Sequence, residues 1–314
     1  MNFLSKIKRT TYKFSYLPLL QEKAEKNFAF LNEELTIQKM LLGKQLANEI
    51  KKIKKIKSLG EIEFRVFSQF GDDGIIQYLI NKIKIQEKVF VEFGVGNYKE
   101  SNTRFLLMNN NWSGFVADSS SKNIEELKKE NIFWRHDLKA IPFFVTRDNV
   151  NSMIKSQGIS GEIGLLHIDL DGVDYWIWKE LTIVNPTIVI LEYNSVFGIK
   201  RPVTIPYKKN FDRTKAHYSN LYWGSSLPAL YLLSKEKGYS FVGCNSAGNN
   251  AYFVRKDKLG SLKSLKPEEG YVLSKYRESR NKNGSLTYLS GEDRLEAIKG
   301  MPVFNVLTKR MEKL

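Results

Sequence analysis

The chain holds one cysteine, no long apolar run and no internal repeat. A lone cysteine, Cys244, excludes a disulfide framework and any multi-thiolate zinc or iron–sulfur centre, and it fits a reducing compartment. No apolar run approaches the roughly 20 residues that span a bilayer as a helix. The early lysines are not followed by a roughly 7–15-residue apolar stretch and a small-residue cleavage site, so the start of the chain does not read as a secretory signal. What is present is 42% hydrophobic and 12% aromatic residues in 314, enough to bury a sizeable core and to exclude wholesale disorder. The expectation is a cytoplasmic protein, built as one large domain or a medium domain with an appendage.

Acidic residues are also scarce relative to basic ones, leaving a formal charge of +15. That charge is unevenly spread. Residues 1–60 contain 13 Lys/Arg and 5 Asp/Glu, so +8 lies in the first fifth of the chain and only +7 in the remainder. The excess is densest in Lys51-Lys52-Ile53-Lys54-Lys55-Ile56-Lys57. Around it, Ala24, Phe28, Leu31, Leu35, Leu42, Leu46, Ile50 and Ile53 recur at steps of three, four or seven, which predicts a helix over residues 20–57 interrupted only by Gly43. Such a helix would be roughly 57 Å long. Three readings of this basic amphipathic arm, residues 1–60, stand side by side. It packs on its own domain or pairs in a homodimer, with its lysines in water. Alternatively it attaches peripherally to the anionic inner face of a membrane, helped by Phe3, Leu4, Tyr12, Phe14 and Tyr16. Nucleic-acid binding ranks last, because no zinc finger or RNA-recognition sequence accompanies the charge.

From residue 61 the texture changes to short apolar runs alternating with helical stretches, the pattern of an α/β domain with a parallel sheet. The candidate strands are residues 88–93, 114–118, 132–135, 164–169, 187–192, 240–243 and 251–255. Helix-like segments fall at 72–84, 101–109, 123–130, 147–156, 176–182 and 226–237. The last two strands are joined by the short stretch 244–250, too short for a crossover helix, and should pair antiparallel. The expected catalytic domain is 61–256, and the polar residues 257–314 form a peripheral extension with a short docking element near 301–307.

The most informative segment is Val89-Phe90-Val91-Glu92-Phe93-Gly94-Val95-Gly96, an apolar strand that runs into Glu-x-Gly-x-Gly. Glycines at such a turn let the backbone pass close to a ligand, and Glu92 can accept hydrogen bonds from a ligand amine or from the turn itself. The third glycine of a dinucleotide fingerprint is missing, which favours a nucleoside without a diphosphate. Asp118 ends the next strand 24 residues after Gly94, near the offset at which an acid meets ribose hydroxyls. Asp137, placed just after the expected third strand, either faces an adenine amino group or serves as a loop acid or helix cap.

A second acidic cluster follows in Ile168-Asp169-Leu170-Asp171-Gly172 and Leu191-Glu192-Tyr193-Asn194. If these strands are neighbours, Asp169, Glu192 and Asn194 converge. Three oxygen ligands suit a hard cation such as Mg²⁺. Without a metal, Asp169, Asp171 or Glu192 would contact substrate, with Asp171 or Glu192 taking a hydroxyl proton. The plainest alternative is capping and turn formation around Asp-Gly.

Taken in order, several segments make residues from about 66 to 256 resemble FkbM-type S-adenosylmethionine-dependent methyltransferases, especially the branch found in bacterial surface-glycan gene clusters. They are Ser68-Gln69-Phe70-Gly71-Asp72-Asp73-Gly74, Phe90-Val91-Glu92-Phe93-Gly94-Val95-Gly96, Asn102-Thr103, Trp112-Ser113-Gly114, Ile168-Asp169-Leu170-Asp171-Gly172, Leu191-Glu192-Tyr193-Asn194 and Gly248-Asn249-Asn250-Ala251-Tyr252-Phe253-Val254. The resemblance implies a Rossmann-like class I fold: a seven-stranded, mostly parallel sheet with an antiparallel last strand, here preceded by the helical arm. It implies that Gly94, Gly96 and Asp118 contact S-adenosylmethionine; Glu92, Asp137, Ser68 and Gln69 are further candidate cofactor-binding residues. It further implies methylation of a hydroxyl on a sugar or glycan precursor of a bacterial surface polysaccharide such as capsule or lipopolysaccharide. Asp171 departs from the family pattern, which has glutamate there.

Methyl transfer needs the acceptor oxygen in line with the methyl group and a base for its proton. His167 sits in an apolar strand and reads as a core histidine. His217, in the polar and aromatic stretch 210–218, is the better base candidate, or else a surface-loop histidine. Residues 198–224, with Tyr222 and Trp223, read as a substrate-binding insertion, the alternative being a lid without direct contacts. Two rival functions remain. One is a metal-dependent glycosyltransferase using Asp169-x-Asp171, and the other is a non-catalytic scaffold that retained the fold.

Overall fold

The computed structural model describes residues 3–314, with side chains from residue 18 onward. The chain divides into two compact units, Met1–Leu46 and Ala47–Leu314. The described residues of the first are helical throughout. Helix α1 runs Phe3–Lys52, passes through Gly43 unbroken, and its last turns belong to the second unit. The boundary expected at residue 60 therefore falls at 46/47, and the helix stops five residues before the expected end. Just past that end, Lys82 Nζ takes the Ile53 carbonyl at 2.6 Å. The side chains of Phe3, Leu4, Tyr12, Phe14 and Tyr16 lie outside the described residues. Among those described, no helix is long and apolar enough to cross a membrane.

The second unit alternates helices and strands: α2 (Asp72–Lys82), β1 (Val89–Phe93), α3 (Arg104–Asn110), β2 (Ser113–Asp118), α4 (Ser121–Lys129), α5 (Asn131–Arg135) and β3 (Leu138–Pro142). Then come α6 (Val150–Ser156), β4 (Gly161–Ile168), α7 (Asp174–Glu180), β5 (Val184–Glu192), β6 (Val203–Thr204), α8 (Arg213–Ala216), α9 (Leu227–Glu236), β7 (Tyr239–Cys244) and β8 (Asn250–Arg255). The tail adds α10 (Pro267–Gly270), α11 (Asp293–Glu296), β9 (Pro302–Asn305) and β10 (Arg310–Lys313). Seven strands form one sheet in the order β3-β2-β1-β4-β5-β8-β7. Strands β1 to β5 are parallel where they pair, and β8 runs antiparallel between β5 and β7. This is the Rossmann-like sheet expected, with the last strand reversed because only a five-residue connection follows β7.

Why the strands read as continuous apolar runs is plain from the two cores. Val91, Phe93, Phe115, Leu166, Ile168 and Val189 face one side with α6, α7 and α9. Phe90, Val116, Leu165, Ile188 and Ile190 face the other with α2 and α4. Successive side chains point to opposite faces, so a sheet covered on both sides needs apolar residues at every step. One expected strand is wrong. Residues 132–135 are helical, and the third strand is Leu138–Pro142. A four-residue apolar run cannot be assigned by periodicity alone, and here it completes a single helical turn that leaves Trp134 73% exposed.

The insertion and the tail fold together. Strand β6 pairs antiparallel with β9, and β9 with β10, in a second, three-stranded sheet. Val203, Ile205, Leu221, Tyr222, Ile298 and Val303 form its core. The expected docking element near 301–307 is thus a strand, and the tail belongs to the second compact unit.

Candidate active site

The strand order reverses between β1 and β4, so the connections leaving their carboxyl ends part in opposite directions and leave a crevice, where open α/β sheets bind ligands. A cavity of about 900 Å³ occupies this place. Its floor is Gly94, Gly96, Asp118 and Asp169, and its cover is residues 209–215 of the insertion.

The two glycines serve different ends. Gly94 has φ +80, and a Cβ there would lie 1.6 Å from the Asp169 carbonyl oxygen. It is required by the close approach of two strand ends rather than by a ligand. Gly96 has φ +53, and a Cβ would meet nothing within 4 Å. Its backbone N–H donates to Asp118 Oδ2 at 2.8 Å. Asp118 Oδ1 accepts from Ser120 N at 2.9 Å and Asn123 Nδ2 at 3.3 Å. Asp118 lines the cavity, and among the described residues its Oδ2 accepts only the bond from Gly96.

Other expected cofactor residues are placed elsewhere. Glu92 is buried and fully engaged within the protein. It accepts from Ser101 Oγ at 2.6 Å, Asn102 N at 3.1 Å, Thr103 N at 3.2 Å and the Thr103 hydroxyl, and lies 2.9 Å from His167 Nδ1. Burial opposes its charge, but the hydrogen bond and positive charge of His167 outweigh that and hold its carboxyl below the ordinary range. His167 is a core histidine as read, its proton held more tightly than usual: burial opposes the charge, while the bond to Glu92 and the surrounding carboxylates more than compensate. Ser68 is buried against Asp73, whose Oδ2 accepts from Val66 N, Phe67 N, Ser68 N and Ser68 Oγ at 2.7–3.0 Å. This knot presents the next residue, Gln69, to the cavity. Asp137 precedes β3 instead of following it, so it sits at the amino end, away from the crevice. The β3 connection that does reach the cavity carries Phe143, Phe144 and Val145, which the misplaced strand concealed.

Asp169 and Glu192 end the neighbouring strands β4 and β5, and they meet. The two carboxyls lie close enough to shift one another's titration. Burial above all pushes Asp169 up to about 6, with Asp171 adding to the effect and His167 opposing it. Burial, followed by the charges of Asp169 and Asp171, raises Glu192 well above its ordinary value. Ionisation of either carboxyl therefore disfavours ionisation of the other. Glu192 Oε2 is buried and has no hydrogen-bonding partner among the described residues.

Asp171 is drawn away from this pair. It has φ +54, and its Oδ1 accepts from Arg213 Nη1 at 2.6 Å. Arg213 Nη2 reaches Glu278 Oε2 at 2.7 Å, so one guanidinium ties the turn after β4, the insertion and the tail together. Phe211 packs where a Cβ on Gly172 would be. Asp174 accepts from Leu170 N at 2.9 Å and Gly172 N at 3.1 Å, a structural role in the same turn.

The expected cation site does not form. Asn194 donates to the Leu221 and Trp223 carbonyls, both at 2.9 Å, and its Oδ1 accepts from Val196 N at 3.0 Å. Its amide braces the insertion. Among the described residues no group of three or more His, Cys, Asp and Glu side chains could hold a metal ion. These bonds withdraw Asn194 from the donor set expected for Mg²⁺, and Arg213 engages Asp171 of the Asp169-x-Asp171 motif. His217 is also set aside: its Nδ1 lies 2.8 Å from Ser219 Oγ, and it does not line the cavity.

A second cavity of about 230 Å³ adjoins the first. Gln69, Glu192 and Arg213 line both. Its other walls include Asn220, Trp223, Tyr276, Glu278 and Arg294. Three of these come from the tail, where the polar composition had suggested only a surface extension. No local motif marks them.

No family model matches the chain, and no curated protein matches it. Solved structures do match. An S-adenosylmethionine-dependent methyltransferase from Clostridium acetobutylicum ATCC 824 has a TM-score of 0.38 and 11% identity, over 59% of this chain and 90% of its own. The N-terminal domain of EvdMO1, solved with SAH bound, has a TM-score of 0.38 and 9% identity, over 67% of this chain and 93% of its own. An O-methyltransferase family protein from Burkholderia thailandensis has a TM-score of 0.36 and 7% identity, over 70% and 58%. At such scores these likenesses carry no weight beside the strand order and the cavity itself.

Proposed function

We propose that this protein is an S-adenosylmethionine-dependent O-methyltransferase. The observation that carries the reading is the Asp169–Glu192 carboxyl pair, set where a large cavity with a glycine turn and a hydroxyl-binding acid opens into a smaller one. The residues of the large cavity fit the cofactor: Asp118 for ribose hydroxyls, Phe143 and Phe144 for a flat base, and the carboxyls of Asp169 and Glu192 for a sulfonium. S-adenosylmethionine, when bound, supplies an electrophilic methyl group and needs no metal to do so.

The protein's part is positioning and proton removal. Asp169, beside the buried Glu192, takes the proton that the acceptor hydroxyl loses as its oxygen gains the methyl group. Arg213, held by Asp171 and Glu278, keeps residues 209–215 over the cavity and excludes water. The small cavity takes the acceptor. Trp223 and Tyr276 offer faces for a sugar ring, and Asn220, Glu278 and Arg294 offer hydrogen bonds to hydroxyls. A sugar or glycan precursor is the acceptor class these walls support, and the resemblance of residues 66–256 favours surface-polysaccharide synthesis.

The test is calorimetric titration with S-adenosylmethionine and its demethylated product, followed by transfer of labelled methyl groups to a panel of sugar nucleotides. Binding in the micromolar range is expected. Binding of a nucleotide sugar with no heat from S-adenosylmethionine would overturn the reading.

A further inference from the structure

We infer that helix α1 pairs with α1 of a second copy of this chain, as a parallel, in-register coiled coil over residues 20–46. Within this first unit, Phe28, Leu31, Leu35 and Leu42 lie on one stripe and are 68%, 57%, 52% and 58% exposed. Their spacing, completed by Gln38 and Gln45, is an uninterrupted three-four alternation from residue 28 to 45, the seam of a left-handed helix pair. Single exposed leucines are ordinary on a protein surface, but a continuous stripe over several turns marks an interface.

Charge selects the occupant. Between residues 18 and 46 there are four lysines and four glutamates, so the stretch carrying the stripe is electrically balanced. An anionic membrane would be met by excess positive charge beside the apolar face, and here the lysine clusters lie elsewhere in the chain. A copy of the same helix fits instead. Glu34 and Lys39 flank the seam on opposite sides, five residues apart. In a parallel pair Glu34 of each copy faces Lys39 of the other, giving two ion pairs by symmetry. Gln38, on the seam between Leu35 and Leu42, brings two amides together and sets the register. Phe30 and Ile37 stay outside such a contact.

Sedimentation of the full chain across the micromolar range tests this. The expected result is a species of twice the chain mass that dissociates on dilution. The Leu31→Asp, Leu35→Asp double variant is expected to be a monomer, while Phe30→Asp leaves the mass unchanged. Glu34→Lys should weaken association several-fold, and the Glu34→Lys, Lys39→Glu exchange should restore it, which loss of folding could not produce. A wild-type monomer throughout the range, a double variant that still dimerises, or a wild-type monomer captured by phosphatidylserine vesicles would each overturn the inference.

Discussion

Glu92 Oε1 and His167 Nδ1 lie 2.9 Å apart on adjacent strands, and both side chains are buried. This ion pair sits directly beneath the candidate site, one residue before Phe93 on β1 and two before Asp169 on β4. Removing one partner would leave an uncompensated charge in the core. Glu92→Gln is expected to cost about 3–5 kcal/mol in urea unfolding. The signs of the two shifts give its pH dependence. Glu92 is lowered from 4.5, so its contribution is present above that value and lost as pH falls. His167 is raised from 6.5, so its contribution is full below that value and lost as pH rises through the folded value. The gap between wild type and Glu92→Gln should be widest between pH 4.5 and 6.5 and should narrow on both sides.

Asp169 gives a kinetic prediction. A base must be ionised to accept a proton, and burial has raised this carboxyl to about 6. Single-turnover methyl transfer should rise with pH and level off above that value. Asp169→Asn should lower transfer by about 10²–10⁴ and remove the rising limb. Asp171→Asn should do neither, because Asp171 is 64% exposed and engaged with Arg213. Its cost is expected to be at most about 1 kcal/mol of stability.

The two glycines should separate fold from binding. Gly94→Ala forces a methyl group onto the Asp169 carbonyl and should cost about 3 kcal/mol or more in thermal unfolding. Gly96→Ala meets open space and pays only for its positive φ, about 1–2 kcal/mol. It should fold, yet bind S-adenosylmethionine at least tenfold more weakly by calorimetry, since the added methyl enters the cavity. Equal affinity in Gly96→Ala would mean the turn does not touch the ligand.

Chelation should have no effect. With Asn194 engaged at both ends of its amide and Asp171 engaged by Arg213, EDTA should leave methyl transfer unchanged. Recovery of lost activity on adding Mg²⁺ would contradict the site described.

Much of this was legible without coordinates. Six of the seven strands, the antiparallel closing pair and the crevice acids Asp118, Asp169 and Glu192 follow from local rules: apolar runs, turn residues and acids at strand ends. The third strand was misread because Ile132-Phe133-Trp134-Arg135 fits one helical turn as well as a strand. That error carried Asp137 to the wrong end of the sheet and hid Phe143 and Phe144.

Sequence by itself determined the class of fold, the crevice and the identity of its acids, since these depend on residues close together in the chain. Tertiary structure alone decided how each acid is used. Glu92 turns to His167, Asp171 to Arg213 and Asn194 to the carbonyls of the insertion, leaving Asp169 and Glu192 to face one another. A side chain's role depends on its partners and its access to water, and here those partners lie 27 to 75 residues away or on another strand. The same holds for the tail. Its polar residues look like surface in isolation, and only the tertiary fold brings Tyr276, Glu278 and Arg294 to the smaller cavity.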